Sequence, residues 1–385
     1  MHAVEQILQD LPRLRDAAAG LRDLFLSDIV LIGEIPAPTG EEAARSRFIA
    51  DRFVGAGLHA CSVDEKGNAV GLLPGETGRK TLLLAAPMDT FVMEAGDQTI
   101  EVAKDRMVGP FVGDNCIALA ALTVLPTLLD RLQLRLNSHV VMVACAGSLG
   151  RGNLEGLRHF LSSTRTLPAA GICLEGVQLG RVNYASAGVF RGKIHCRLPD
   201  DYNWAQYGAT GTIVPMSEVI GRISRIPLPQ KPLTTIVLGS IQGGLSYTNI
   251  ARETVLQFEA RSETLDELNA LREKLEDIVE EVAAQSGKHL LLDTVAWRGP
   301  GGIDIADPMV RNARAILGAL GVQPAIYPTT SQLAALFEAG IPGVTLGITT
   351  GERRNELDEI DEAVAIEPMS AGLAQLVANL MAMDE

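Results

Sequence analysis

The sequence predicts an α/β sandwich built on a mostly parallel sheet, interrupted by an inserted ferredoxin-like βαββαβ domain. Three observations carry this expectation. The run Thr81 to Ala86 is continuously apolar after its first residue, which fits a parallel strand covered on both faces, and further strands read at 139–146 and 171–174. Stretches of helical apolar spacing alternate with them, which is the signature of a helix-covered parallel sheet. Near Ala185 the texture changes, and the segments that follow run strand, helix, strand, strand, helix, strand.

Taken in order, residues 3–34 carry helical spacing, and PAPTGEE then breaks the chain and restarts it. Thr39 is expected as the N-cap, with Glu42 three positions on in capping-box spacing and a helix through about Gly55. A polar turn at Asp64 to Asn68 leads into a strand at Ala69 to Leu73, and the buried strand Thr81 to Ala86 follows. After Gly113 an apolar helix runs from Cys116 to Leu129, followed by strands at His139 to Ala146 and Gly171 to Leu174. In the insertion RGKIHCRL reads as a strand and GTIVPMSEVIGRI as a helix. TTIVLGSI and ETVLQFEARS are two strands, TLDELNALREKLEDIVEEVAAQS a charged amphipathic helix and HLLLDTVAW a last strand. IADPMVRNARAILGALG returns the chain to the first domain. The expected division is 1–186 with 299–385 around an insertion at 187–298, with no internal repeat.

The chain has 385 residues, of which 47% are hydrophobic, enough for two cores. Its net charge of -14 argues against a nucleic-acid partner or an anionic membrane, both of which call for a basic face. The amino terminus has no secretory pattern, and no apolar run approaches the roughly 20 residues of a membrane span. The expected location is the cytoplasm. Five cysteines form no CxxC and sit mostly in apolar strings, so they read as reduced core residues. Cys116 opens the run CIALAALTVL, which favours a structural thiol over a catalytic one.

Several strings occur in a telling order: LLLAAPMDTF, GPFVGDNCIALAAL, VMVACAGSLGRGNLEG, ICLEG, GGLSYTNIA, EARS and GIPGVTLGITTGERRNELDE. Together they resemble the dizinc aminoacylases and exopeptidases that include acetylornithine deacetylase, succinyl-diaminopimelate desuccinylase and glutamate carboxypeptidase. The resemblance spans the chain from about Asp28 to its end and implies a zinc-exopeptidase-like αβα sandwich with an inserted lid and dimerisation domain. It also implies where a metal centre would lie, and there the sequence departs from the family. The first metal-binding His falls on Pro87, leaving Asp89 without the imidazole it would orient. The paired glutamates, general base then ligand, become Ser148 and Leu149. The lid His becomes Tyr202 and the final His becomes Asn355, while Asp114 and Glu175 keep their carboxylates. Ser148 and Tyr202 thus stand at former catalytic positions without an evident catalytic role.

The resemblance also implies a pocket for a substrate carboxylate, and its positions match Asn249, Arg261 and the loop from Gly347 to Gly351. An arginine fork would give that carboxylate paired charge-assisted hydrogen bonds. The residual acids Asp89, Asp114 and Glu175 need a counter-charge. Mg²⁺, weakly held by oxygen ligands, is one solution. A guanidinium from Arg353 or Arg354 in GERRN is the other. Zinc is not expected.

The expected function is therefore that of a catalytically degenerate relative that binds a small, amino-acid-like carboxylate without dizinc hydrolysis. An enzyme of changed chemistry in the same pocket and a residual metal-dependent hydrolase are the alternatives. A homodimer through the insertion is expected, since lid domains of the family pair and Gly208 to Ile220 has Glu218 as its only charged residue.

Overall fold

The structure is a computed structural model that describes residues 4–90, 97–200, 210–328, 331–352 and 361–384. Tyr202, Arg353, Arg354 and Asn355 lie outside the described residues. The chain divides into two compact units, residues 1–185 with 302–385, and residues 186–301.

The first unit opens with helices α1 (Val4–Ala19), α2 (Arg22–Gly33) and α3 (Ala43–Gly55), followed by strands β1 (His59–Val63), β2 (Ala69–Leu73) and β3 (Thr81–Pro87). Thr39 does not cap α3, whose N-cap is Glu42 with no side-chain capping bond. Both side chains instead reach the strand ends described below, where buried donors and acceptors outcompete a local cap. Two short strands, β4 (Glu101–Val102) and β5 (Arg106–Pro110), precede a kinked turn at Val112–Cys116, non-helical at Asp114 and Asn115, and helix α4 (Ile117–Arg131). Val112–Arg131 is 20 residues long and contains an 18-residue stretch of mean hydropathy 1.6, which corrects the expectation that no segment approaches a membrane span. Its length and apolarity serve the interior, because 94% of its most apolar window is buried. Strand β6 (His139–Cys145), helix α5 (Glu155–Ser163), strand β7 (Ala170–Val177) and the short β8 (Arg181–Asn183) follow.

The second unit is the βαββαβ insertion: β9 (Gly188–Arg197), α6 (Ile213–Ile223), β10 (Thr234–Gly243), β11 (Glu253–Ser262), α7 (Leu265–Ser286) and β12 (His289–Arg298). Its antiparallel sheet has the order β10-β11-β9-β12. Period-2 alternation sends Phe190, Ile194, Leu256 and Phe258 into a core with Leu268, Leu275 and Val279 of α7. Its first and last strands pair, with Val189 opposite Arg298.

The first unit resumes with α8 (Pro308–Ala319), β13 (Ala325–Ile326), α9 (Leu333–Glu338), β14 (Gly343–Thr349), β15 (Asp361–Ala365) and α10 (Met369–Met383). The Asp307 carboxylate caps α8 by accepting from Met309 N, with Pro308 at the first helical position. The main sheet has the order β1-β2-β6-β3-β7-β14-β8-β13. Neighbours from β6 through β3 and β7 to β14 are parallel, whereas β14 and β8 are antiparallel. Along β3, Leu82, Leu84 and Ala86 enter the core under α1, α2, α4 and α10, and Leu83 and Ala85 enter the one under α5 and α9. That double coverage is why its sequence is apolar without alternation.

Candidate functional site

The carboxyl ends of β3, β6, β7 and β14 lie along one edge of the main sheet, where α/β folds place their ligands. Pro87 closes β3 opposite Cys145 in register. Two residues on, Asp89 is fully buried. Its Oδ2 accepts from Thr39 Oγ1 at 2.8 Å, Ser148 N at 2.9 Å and Leu149 N at 2.8 Å, while Oδ1 is buried without a hydrogen-bond partner. Burial pushes the Asp89 carboxyl above its usual range; the three donors oppose this and the Glu42 charge adds to it.

The first turn of α3 braces the same strand ends. Glu42 Oε1 accepts from Gly147 N at 2.9 Å. Arg45, 1% exposed, donates from Nε to Ile35 O at 2.9 Å and from Nη1 to Met88 O at 2.8 Å. Ser148 Oγ donates to Cys145 O at 3.2 Å and accepts from Gln332 Nε2 at 2.6 Å. A serine held between a carbonyl and an amide has no base to activate it.

Asp114 sits at the kink before α4, with a non-helical backbone and 3% exposure. Glu362 of β15, 1% exposed, holds that turn by accepting from Gly113 N at 2.8 Å and Asp114 N at 3.0 Å. Asn115 Oδ1 accepts from Gly176 N at 3.3 Å and so ties the turn to the end of β7. Cys116 is fully buried, and burial pushes its thiol up, as expected of a structural cysteine.

Glu175, near the end of β7, is opposed by an arginine that the sequence reading did not single out. Arg181 Nη1 lies 3.9 Å from Glu175 Oε2, with 9% and 8% of the two side chains exposed. Arg181 Nε donates to Tyr327 Oη at 3.1 Å, and the guanidinium carbon is 5.6 Å from the centre of the Tyr327 ring. The Tyr327 hydroxyl donates onward to Gln178 Oε1, and Asn183 Nδ2 donates to Tyr327 O at 2.6 Å. Gly347 is required beside this group, because a Cβ there would meet Gln178 O at 2.3 Å. Gly347 to Thr349 are not the loop expected from the sequence but the end of β14, paired with β7 and packed on the turn that leads to Arg181, and Gly351 beyond it pairs with Val364 of β15.

In the second unit, Arg261 is 47% exposed and its Nε donates to Glu259, which also pairs with Arg191. Asn249 is exposed in the connection between β10 and β11.

Among the described residues no three His, Cys, Asp or Glu side chains gather as a metal site. A two-zinc centre needs imidazole and carboxylate ligands around an open position. Pro87 has no imidazole nitrogen and its amide nitrogen cannot ligate, Leu149 has no side-chain ligand atom, and Glu175 faces a guanidinium. These described residues do not fit that pair of ions.

Residues 185–287 match the peptidase dimerisation domain of the M20 type. No curated protein matches the chain. Among solved structures it is similar to a tripeptidase of Staphylococcus aureus, with 20% identity, TM-score 0.74 and coverage of 94% of this chain and 98% of that one. The dipeptidase Dug1p of Saccharomyces cerevisiae gives 13% identity, TM-score 0.77 and coverage of 97% and 98%. A dinuclear metal binding M20 peptidase of Bacillus subtilis, YxeP, gives 15% identity, TM-score 0.66 and coverage of 95% and 98%. The chain therefore has the fold of the M20 peptidases and carries their dimerisation domain at residues 185–287.

Proposed function

We propose that this protein is a relative of the M20 peptidases that binds a small, amino-acid-like carboxylate at the carboxyl edge of its main sheet and does not carry out dizinc hydrolysis. The observation that carries the reading is the Arg181 guanidinium beside Glu175. A fixed cation there balances the carboxylate that a metal would otherwise need, and it would repel an incoming divalent ion. At the ends of β3 and β6, Pro87 and Leu149 supply no side-chain ligand, and Ser148 is tied to Cys145 O and Gln332.

Homodimerisation through residues 185–287 belongs to the same reading. It is supported by the matched domain, by β10 at the edge of its sheet, and by Ile213 and Val214 of α6, each 53% exposed.

Elemental analysis of protein purified without added metal tests the central claim. The expected result is well under one zinc per chain, with no turnover of N-acyl amino acids or dipeptides when zinc is supplied. Two tightly held zincs per chain, or zinc-dependent hydrolysis, would refute it.

A further inference from the structure

We infer that Arg181, rather than Arg261, is the fork that receives the ligand's carboxylate. This rests on the carboxylate-binding reading above and assigns its principal contact.

A bidentate grip needs a guanidinium whose Nη groups are open while its orientation is fixed. Arg181 meets both conditions within the first unit. Its Nε is committed to Tyr327 Oη, and its guanidinium carbon lies 5.6 Å from the centre of that ring, so the head group is held in place. Tyr327 is itself oriented, since its hydroxyl donates to Gln178 and its carbonyl accepts from Asn183. At 3.9 Å the Glu175 oxygen is too far to accept a hydrogen bond, and neither Nη donates one to another described residue. Arg181 is 7% exposed, and beyond the Glu175 charge its two Nη groups hold no hydrogen bond to a described residue, so both retain donors that a ligand entering at this edge could take. Arg261 differs in being about half-exposed, with its Nε paired to the charged Glu259 carboxylate rather than to a neutral hydroxyl.

Placement agrees with the chemistry. Arg181 begins β8 beside the carboxyl end of β14, at the point where the sheet changes from parallel to antiparallel pairing. Leu179 N donates to Thr349 O at 2.7 Å, which fixes the turn before Arg181 against the end of β14.

The neighbour also sets the ligand class. A second carboxylate on the ligand would be repelled by Glu175, whereas an amide N–H or an ammonium would not. The site should therefore prefer amino acids, dipeptides and N-acyl amino acids over dicarboxylates.

Isothermal titration calorimetry with N-acetyl-L-alanine, L-alanyl-L-alanine and succinate tests this on the wild type, Arg181→Lys, Arg181→Gln and Arg261→Ala. Wild type should bind at least one of the first two more tightly than succinate. Both Arg181 variants should lose affinity by about 10- to 100-fold, because lysine keeps the charge without the fork. Arg261→Ala should bind as wild type does.

Binding that survives in both Arg181 variants, or is lost in Arg261→Ala alone, would overturn the assignment while leaving a carboxylate binder. Equal or tighter binding of succinate would overturn the ligand class. Failure of the wild type to bind any probe would overturn the assignment together with the reading beneath it. Should the variants not fold, phenylglyoxal labelling of the wild type read by mass spectrometry decides: Arg181 should be protected by a bound probe. Unchanged labelling under saturating probe would refute the assignment.

Discussion

Replacing Asp89 separates what its carboxylate does by shape from what it does by charge. In Asp89→Ala the amides of Ser148 and Leu149 lose their acceptor, while the Thr39 hydroxyl retains Thr90 O at 3.3 Å. Two buried or half-buried N–H groups left unpaired cost about 1–3 kcal/mol each, so the variant should lose about 2–4 kcal/mol, with the part-buried Leu149 amide at the low end. Asp89→Asn keeps an oxygen in the place of Oδ2 and should lose less than half as much at neutral pH.

The charge adds a pH signature. Burial raises the folded pKa of Asp89 above its ordinary 3.8, so the folded protein holds this proton more tightly than the unfolded chain. The contribution of Asp89 to stability is greatest below that value and declines as pH rises through the raised folded pKa. Asp89→Asn cannot ionise and lacks that decline, so its stability relative to wild type should improve from about pH 4 toward neutrality. Urea titrations of the three proteins across this range measure both effects. Asn as damaging as Ala at every pH, or a wild-type advantage over Asn that grows with pH, would refute the reasoning.

Glu259→Gln should act with the opposite sign. Although burial raises the Glu259 pKa, Arg191 and Arg261 outweigh it and hold the carboxyl below its ordinary 4.5. Its stabilisation is present above that value and lost as pH falls through the lower folded pKa, so the variant's deficit, about 1–2 kcal/mol for this partly exposed network, should shrink in acid denaturation curves. Tyr327→Phe removes the acceptor of Arg181 Nε and should weaken carboxylate binding several-fold while costing about 1 kcal/mol of stability, read by calorimetry and urea titration. Gly347→Ala must push β14 from the Gln178 turn, since the clash is with backbone; a loss of about 2 kcal/mol or more in urea titration, together with weakened ligand binding, is expected. Light scattering at tens of micromolar should find a dimer, and charged replacements of Ile213 and Val214 should dissociate it.

Much of the fold was legible because its strands are buried on both faces and its inserted helices are amphipathic. Leu82 to Ala86 could hardly be anything other than a central strand, and the run from Leu265 to Ser286 announces one long helix. The site was legible only where chemistry is local in sequence. Pro87, Leu149 and Glu175 declare what they can and cannot ligate wherever they sit. Arg181 was passed over because a three-residue strand has no periodicity and its partner Tyr327 is 146 residues away. Glu362 reads as one acid among several, since only the tertiary fold brings the Gly113 and Asp114 amides to it. Thr39 and Glu42 show the reverse error: a correct local pattern overridden when the Asp89 carboxylate and the Gly147 amide offered them partners. The Tyr202 and Arg353 to Asn355 assignments fall outside the described residues.

The pairing of β9 with β12 brings the two ends of the insertion side by side, with Val189 opposite Arg298. On the other side of the junction, a Cβ added to Gly302 would lie 3.0 Å from the Cβ of Ala185. Within each unit, therefore, the two ends of the chain at the junction lie close together. For the host, accepting such a guest amounts to lengthening a single surface loop, whose entropy grows only with the logarithm of its length. The same geometry makes the two parts separable: a few glycines joining Ala185 to Gly302 should restore a continuous host, and residues 186–301 should stand alone as a genetic cassette that can be moved or exchanged between chains of this architecture.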